Sequence, residues 1–313
     1  MILALAGGVG GAKLASGLAR ALKADELLVA VNTGDDFEHL GLHISPDLDT
    51  VMYTLAGVAN AGTGWGYAGE SWRFMESLER LGGPTWFRLG DRDLATHIER
   101  SRRLALGESL LAVTRALGER LGVRHAIVPM SDDPVRTIVH TDEGALEFQD
   151  YFVRRRCEPR VRRVEYRGAE RARPSAIFRD ALARKDLRGI IFCPSNPYLS
   201  IAPVLAIPGV REAIERRQAR SVAVSPIIGG KAVKGPAAKL MAELGLEASS
   251  VEIARCYRGL ADVLLLDRAD AALAGAVEAL GLRAHVTDTL MRTDEDRERV
   301  ARACLEVLEA AGA

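Results

Sequence analysis

Four acidic residues, Asp35, Asp36, Asp47 and Asp49, fall in one short stretch, Val31-Asn-Thr-Gly-Asp-Asp-Phe-Glu-His-Leu-Gly-Leu-His-Ile-Ser-Pro-Asp-Leu-Asp-Thr50, directly behind an apolar run. Carboxylates gathered at such a place hold a divalent metal ion or act as a general base. Either Asp47 or Asp49 alone would be explained as the cap of a helix over Thr50–Ala56, and Asp35-Asp36 after Gly34 as a turn. Caps and turns do not account for four acids in two adjacent clusters, so a chemical role is expected for at least one of them.

Three loops could bind phosphate. Ala6-Gly-Gly-Val-Gly-Gly-Ala-Lys13 joins an apolar run to a helical pattern over Leu14–Leu22, and aims backbone N–H groups and a helix N-terminus at one point. It departs from the dinucleotide fingerprint, because Lys13 stands where a third glycine belongs. It departs from the P-loop as well, because Lys13 lies between Ala12 and Leu14. By itself the turn is equally a tight strand-to-helix connection. The second loop, Ser225-Pro-Ile-Ile-Gly-Gly-Lys-Ala-Val-Lys-Gly-Pro236, carries Lys231 and Lys234, two cations suited to a diphosphate and to the charge that builds up in phosphoryl transfer. The third, Cys193-Pro-Ser-Asn-Pro-Tyr-Leu-Ser200, offers Ser195 and Asn196, or is merely a proline-bounded turn. A separate segment, Trp86-Phe-Arg-Leu-Gly-Asp-Arg-Asp93, sets Arg88 and Asp91 beside aromatic residues in a manner that suits a planar ring, although Trp86 and Phe87 are core residues by default.

The elements that must position these residues are short apolar strands, Ile2–Ala6, Leu27–Val31, Ala126–Pro129, Gly189–Cys193, Ser221–Val224, Val263–Leu266 and Arg283–Val286, alternating with helical patterns. That alternation predicts an α/β chain with a Rossmann-like, mostly parallel sheet, whose ligands bind at the carboxyl ends of the strands. Between about 60 and 122 the strand signal gives way to amphipathic patterns over Glu70–Leu81 and Asp93–Leu121, a helical insertion or lid. From about 136 to 167, β-branched and charged residues alternate around a turn at Asp142-Glu-Gly144, which predicts a hairpin. The arginines at 154–156, 160, 162 and 163 read as a solvated strand face, with phosphate binding the less common use. The whole is expected to form a single α/β domain.

With 42 basic and 42 acidic residues among 313, the chain lacks the global charge of nucleic-acid or membrane-surface binders. Its four cysteines show no CxxC spacing and are expected to be reduced and mostly buried. Neither a signal peptide nor an apolar run of roughly 18 to 20 residues is present, so a soluble, cytoplasmic protein is expected.

In order, GGVGGAK, NTGDD…GLHISPDLDTVMYTLAG, GWG, WFRLGDRDLATH, PMSDDPVRT, FQDYFV, CPSNPYLSIAPVL and VSPIIGGKAVKGPAAKLM resemble the 2-phospho-L-lactate transferases of coenzyme F-420 biosynthesis, over most of the chain. The resemblance implies magnesium-dependent transfer of a phospholactate or phosphoenolpyruvate unit from a guanosine-diphospho donor to the 5′-hydroxyl of the deazaflavin FO, with release of GMP. It implies a homodimer acting on small molecules, with no nucleic-acid or membrane partner. Matching positions put Asp49 and Arg88 at the FO acceptor. They put Gly8, Gly10, Gly11, Lys13, Ser195, Asn196, Lys231 and Lys234 at the donor, and Asp36 at the metal. Asp36, Asp49 and Lys231 are thereby the catalytic candidates. Arg88 stands where many relatives carry lysine, which keeps the charge and changes the hydrogen-bond geometry. The alternative is the YvcK-like group, regulatory nucleotide-sugar binders that share the glycine turn; a nicotinamide dehydrogenase would need the missing third glycine.

Overall fold

The computed structural model describes residues 1–233 and 237–310. Lys234 therefore lies outside the described residues. The centre of the fold is one seven-stranded sheet, β1 (Ile2–Ala6), β2 (Leu27–Val31), β3 (Ala126–Pro129), β4 (Gly189–Phe192), β5 (Ser221–Val224), β6 (Val263–Asp267) and β7 (Arg283–Thr287). Its spatial order is β7-β6-β5-β4-β1-β2-β3, and every neighbouring pair is parallel. The chain winds outward from β1 through β2 to β3, then crosses back to β4 and winds the other way. The crevice between β1 and β4 is thus the switch point where such sheets bind ligands. β1 to β6 are apolar and buried on both faces because helices cover both, with Leu3, Leu5 and Phe192 in one core cluster and Ile2, Ala4 and Ile191 in the other.

The expected strands are all present, four with the expected bounds and three ending one residue away from them. Two helix starts at the site differ from expectation. The first helix spans Gly8–Ala21, so the glycine turn is itself its first turn. The second spans Pro46–Leu55 with Ser45 as N-cap and Pro46 at the first helical position, where its missing N–H costs nothing. Asp47 and Asp49 are consequently first-turn residues and not caps.

The insertion holds helices Arg73–Arg80, Asp91–Ala105 and Leu110–Arg120. The pattern expected to run on from Asp93 to Leu121 is broken at Gly107, whose φ of 88° no helix continues. A small hairpin, Phe37–His39 with Leu42–Ile44, was not anticipated. Leu40 and Gly41 both have positive φ, the backbone of a type I′ turn, but Leu-Gly lacks the Asn-Gly signature of that turn.

The predicted hairpin is a three-stranded antiparallel sheet, Arg136–Thr141, Gly144–Glu147 and Val161–Arg167. All four cysteines are free, with Cys193 and Cys304 buried and Cys157 and Cys256 partly so. Among the described residues no helix is long and apolar enough to cross a membrane.

Candidate active site

Registers Ala6↔Val31 and Leu5↔Phe192 end β1, β2 and β4 at one level, and a cleft of about 580 Å³ opens above them. Its walls include Gly8, Gly10, Lys13, Asp47, Asp49, Arg88, Ser195 and Asn196. Eight of the residues singled out in the sequence therefore meet in one place. Gly11, Asp35, Asp36 and Lys231 do not line it.

The glycines are required by close packing. A Cβ on Gly10 would lie 2.1 Å from the Pro194 carbonyl oxygen, and one on Gly11 would lie 2.7 Å from Ser195 Oγ. Ser195 pins the turn reciprocally, because its hydroxyl donates to the Gly7 carbonyl at 2.8 Å and accepts from the Gly7 N–H at 3.1 Å. Asn196 caps the next turn by accepting from the N–H groups of Tyr198 and Leu199. Lys13 Nζ donates to the Met291 carbonyl at 2.7 Å, which ties the first helix to the loop after β7. Lys231 is exposed on a two-stranded ribbon at the rim, where its neighbours Ala232 and Val233 line the cleft. That ribbon is held by Asp270, which accepts the Gly229 N–H at 3.1 Å.

Three buried acids cluster behind the glycine turn. The Asn32 side-chain amide donates to both Asp35 Oδ1 (3.2 Å) and Asp47 Oδ2 (2.9 Å), while Asp47 Oδ1 accepts the Gly8 N–H at 2.8 Å. Burial pushes the Asp47 carboxyl up to about 6, against the pull of Asn32 and the Gly8 N–H. Asp35 is raised well above the ordinary carboxylate range by burial and then by the charge of Asp47. Asp36 Oδ2 accepts from Ser45 Oγ at 2.8 Å and faces His43 Nε2 at 3.1 Å. Its Oδ1 is buried without a hydrogen-bond partner among the described residues.

A second network underlies the insertion side. Asp49 Oδ2 accepts from Arg100 Nη1 at 3.0 Å and Asp49 Oδ1 from Nη2, with the guanidinium only 1% exposed. Tyr53 donates to Asp93 Oδ1 at 2.8 Å, and His97 Nε2 lies 3.2 Å from the same oxygen. Burial raises the Asp49 carboxyl, against the pull of Arg100 and His97, while Arg100 is held charged by Asp49 despite its own burial. Asp93, His97 and Arg100 were not singled out in the sequence. Their spacing of four and then three residues on helix Asp91–Ala105 puts them on one helical face, and that periodicity was the available signal.

Above this network Arg88 stacks over Trp72, 4.2 Å from the ring centroid, and Phe87 meets Phe37 edge to face at 4.8 Å. Trp86 and Phe87 are thus both part of the insertion's small core and part of the cleft wall.

Two acid sets differ in their fitness for a divalent cation. Ligand atoms of Asp49, Asp93 and His97 lie within 4.8 Å of one another, but both Asp49 oxygens already face a guanidinium. Asp35 and Asp47 are both raised, chiefly by burial, and Asp36 keeps a buried oxygen without a hydrogen-bond partner among the described residues. All-oxygen ligands suit magnesium, but Asp35, Asp36 and Asp47 do not bring three ligand atoms that close together and the insertion-side set is already neutralised, so neither set is a preformed three-ligand site.

Residues 2–310 match the 2-phospho-L-lactate transferase CofD family. The chain belongs to that family. Similar curated relatives of the CofD family bear two names. A phosphoenolpyruvate transferase of Kitasatospora aureofaciens is 44% identical over 315 residues, with 98% of each chain covered. A 2-phospho-L-lactate transferase of Methanosarcina mazei is 40% identical over 305 residues, covering 97% of this chain and 99% of its own. A third, from Methanopyrus kandleri and also named 2-phospho-L-lactate transferase, is 43% identical over 314 residues, covering 97% of this chain and 96% of its own. Among solved structures, a Bacillus halodurans protein has a TM-score of 0.64 at 15% identity, covering 97% of this chain and 99% of that one, which shows a shared fold.

Proposed function

We propose that this chain transfers a phospholactate or phosphoenolpyruvate unit from a guanosine-diphospho donor to the 5′-hydroxyl of FO, forming the unglutamylated coenzyme F-420 or its dehydro form. The observation that carries the reading is the continuity of one cleft, which joins the amide-rich glycine turn to the half built by Asp49, Trp86, Phe87 and Arg88. The first half suits a diphosphate, the second a planar ring bearing hydroxyls. Relatives named for both units are similar to this chain over nearly its whole length, which supports the transfer and leaves the choice of unit to experiment.

In this reading the acceptor oxygen attacks the phosphorus that bears the carboxylate unit, the bond from that phosphorus to the GMP oxygen breaks, and the hydroxyl proton is taken up by the departing GMP phosphate. No covalent enzyme intermediate is needed, because the acceptor brings its own nucleophile. In this reading Lys13 and the first-helix amides face the diphosphate, and the exposed Lys231 on the rim ribbon would reach towards it. Asp36, with its unpartnered buried oxygen, would hold magnesium, which would supply positive charge to the diphosphate. Asp49, fixed by Arg100, retains lone pairs that can accept from a ribityl or 5′-hydroxyl. Arg88 covers the ring.

The test is incubation with FO, magnesium and each candidate donor, followed by mass spectrometry. The reading expects a deazaflavin heavier by one phospholactate or phosphoenolpyruvate unit, together with GMP. Unchanged FO with both donors would refute it.

A further inference from the structure

Lys231 stands on a ribbon too small to hold itself. The ribbon pairs Ile227–Ile228 with Lys231–Ala232 through a Gly229-Gly230 turn, both glycines at positive φ (58° and 71°), and it is separate from the two larger sheets. An isolated two-stranded hairpin is marginally stable in water at best, and two residues per strand is shorter still. One face of the ribbon is fixed by Ile227, which is fully buried in the main core. Ile228 and Lys231 lie directly opposite each other, so their side chains rise from one face, and Ile228 lines the cleft. The direction of the Lys231 side chain therefore depends on what holds the turn.

That hold comes from behind the cleft wall. Asp270 lies on the 3-10 turn Arg268–Leu273 that follows β6, and it is buried without being part of the cleft lining. Both of its carboxylate oxygens accept from the Gly229 N–H, each at 3.1 Å, and Oδ2 also accepts from Ser250 Oγ at 3.4 Å. Ser250 Oγ lies 3.0 Å from Ser225 Oγ, which accepts the Ile227 N–H at 3.2 Å and donates to the Ile227 carbonyl at 3.1 Å. One connected set of hydrogen bonds thus fixes the start of the ribbon and its turn. Holding a carboxylate this far from water on neutral donors is costly, and what Asp270 supplies in return is acceptor oxygens aimed at the tip of the ribbon.

We propose that Asp270 is the positioning residue of Lys231. Its carboxylate, acting through the Gly229 N–H, sets the ribbon at the angle from which the lysine meets the diphosphate, and does so without touching the substrate. This rests on the transfer reading given above, in which Lys231 serves the donor.

The experiment measures GDP affinity by calorimetry with magnesium, together with amide hydrogen exchange, in the full chain and in Asp270→Ala, Asp270→Asn, Lys231→Ala and the double variant of Asp270→Ala with Lys231→Ala. Each alanine variant should weaken GDP binding roughly tenfold, the scale of one hydrogen bond to a charged group. The double variant should also lose roughly tenfold and not roughly a hundredfold, because a support has nothing to position once the lysine is gone. Exchange at residues 227–232 should speed up in Asp270→Ala while β5 and β6 keep their protection. Asp270→Asn keeps the shape and an acceptor oxygen for the Gly229 N–H, so it should bind GDP within about twofold of the parent, and it carries the test if the alanine variant does not fold. Additive losses in the double variant would overturn the proposal, since the two residues would then act independently. A loss in Asp270→Asn as large as in Asp270→Ala would overturn it as well, because the charge and not the hydrogen bond to the ribbon would be at work, and so would parental GDP affinity in Lys231→Ala. If the parent chain converts FO while the coupling is absent, the proposal fails and the transfer reading stands. If FO stays unmodified while the coupling is found, the transfer reading fails and the positioning role stands.

Discussion

Asp49 places both carboxylate oxygens on the guanidinium of Arg100, beneath the insertion side of the cleft, with the two residues 5% and 1% exposed. The pair turns a first-turn aspartate of one helix into a fixed anion, because the helix Asp91–Ala105 brings its counter-charge from the insertion. Removing the cation would leave a buried carboxylate uncompensated. Arg100→Leu is therefore expected to lower the unfolding free energy by about 3 to 5 kcal/mol, read by urea denaturation. A loss below about 1 kcal/mol would show that the pair is solvated and that Asp49 is not rigidly held.

The acids behind the glycine turn make a separate prediction for magnesium. Asp36→Asn keeps the hydrogen bond from Ser45 and removes the charge, so the fold should survive while the magnesium needed for half-maximal turnover rises by at least about tenfold, the equivalent of 1.4 kcal/mol. Wild-type magnesium dependence in this variant would move the ion away from Asp36, with Asp47 the next residue to test.

Arg88 answers for the acceptor. Its guanidinium already lies on Trp72, so Arg88→Ala should raise the KM for FO about tenfold and leave GDP affinity unaltered, with stability reduced by about 0.5 to 2 kcal/mol through the lost cation–π contact. Arg88→Lys should recover part of the FO affinity, since the charge is kept and the planar fork is not. Lost GDP binding with intact FO binding would mean that the two halves of the cleft are reversed.

Stability should also depend on pH through Asp47. Its carboxyl is raised from 3.8 to about 6 by burial, so the folded chain holds this proton more firmly than the unfolded chain does. Between those values the folded state carries more protons, and the contribution of Asp47 to stability falls as pH rises, levelling off above about 6. The loss is on the order of 3 kcal/mol across that window, and Asp35, also raised by burial, adds a fall of the same sign. Denaturation of Asp47→Asn from pH 4 to 7 should show a correspondingly shallower decline than the parent. Parallel curves would place the proton elsewhere.

Much of this architecture was legible in the chain itself. Strand positions were readable because six of the seven strands are buried on both faces and so appear as short apolar runs, and the glycines were readable because Gly10 and Gly11 touch the loop after β4 too closely for any side chain. Partnership was not legible. That Asp47 takes the Gly8 N–H, that Arg100 neutralises Asp49, and that Ser195 spends its hydroxyl on Gly7 are contacts across 39, 51 and 188 residues of sequence. The one-dimensional pattern records which residues are polar, but burial and counter-charge exist only once the sheet has brought the ends of β1, β2 and β4 together and the insertion has folded over them. Tertiary structure therefore decided that Asp49 meets a guanidinium while Asp36 keeps a buried oxygen without a hydrogen-bond partner among the described residues.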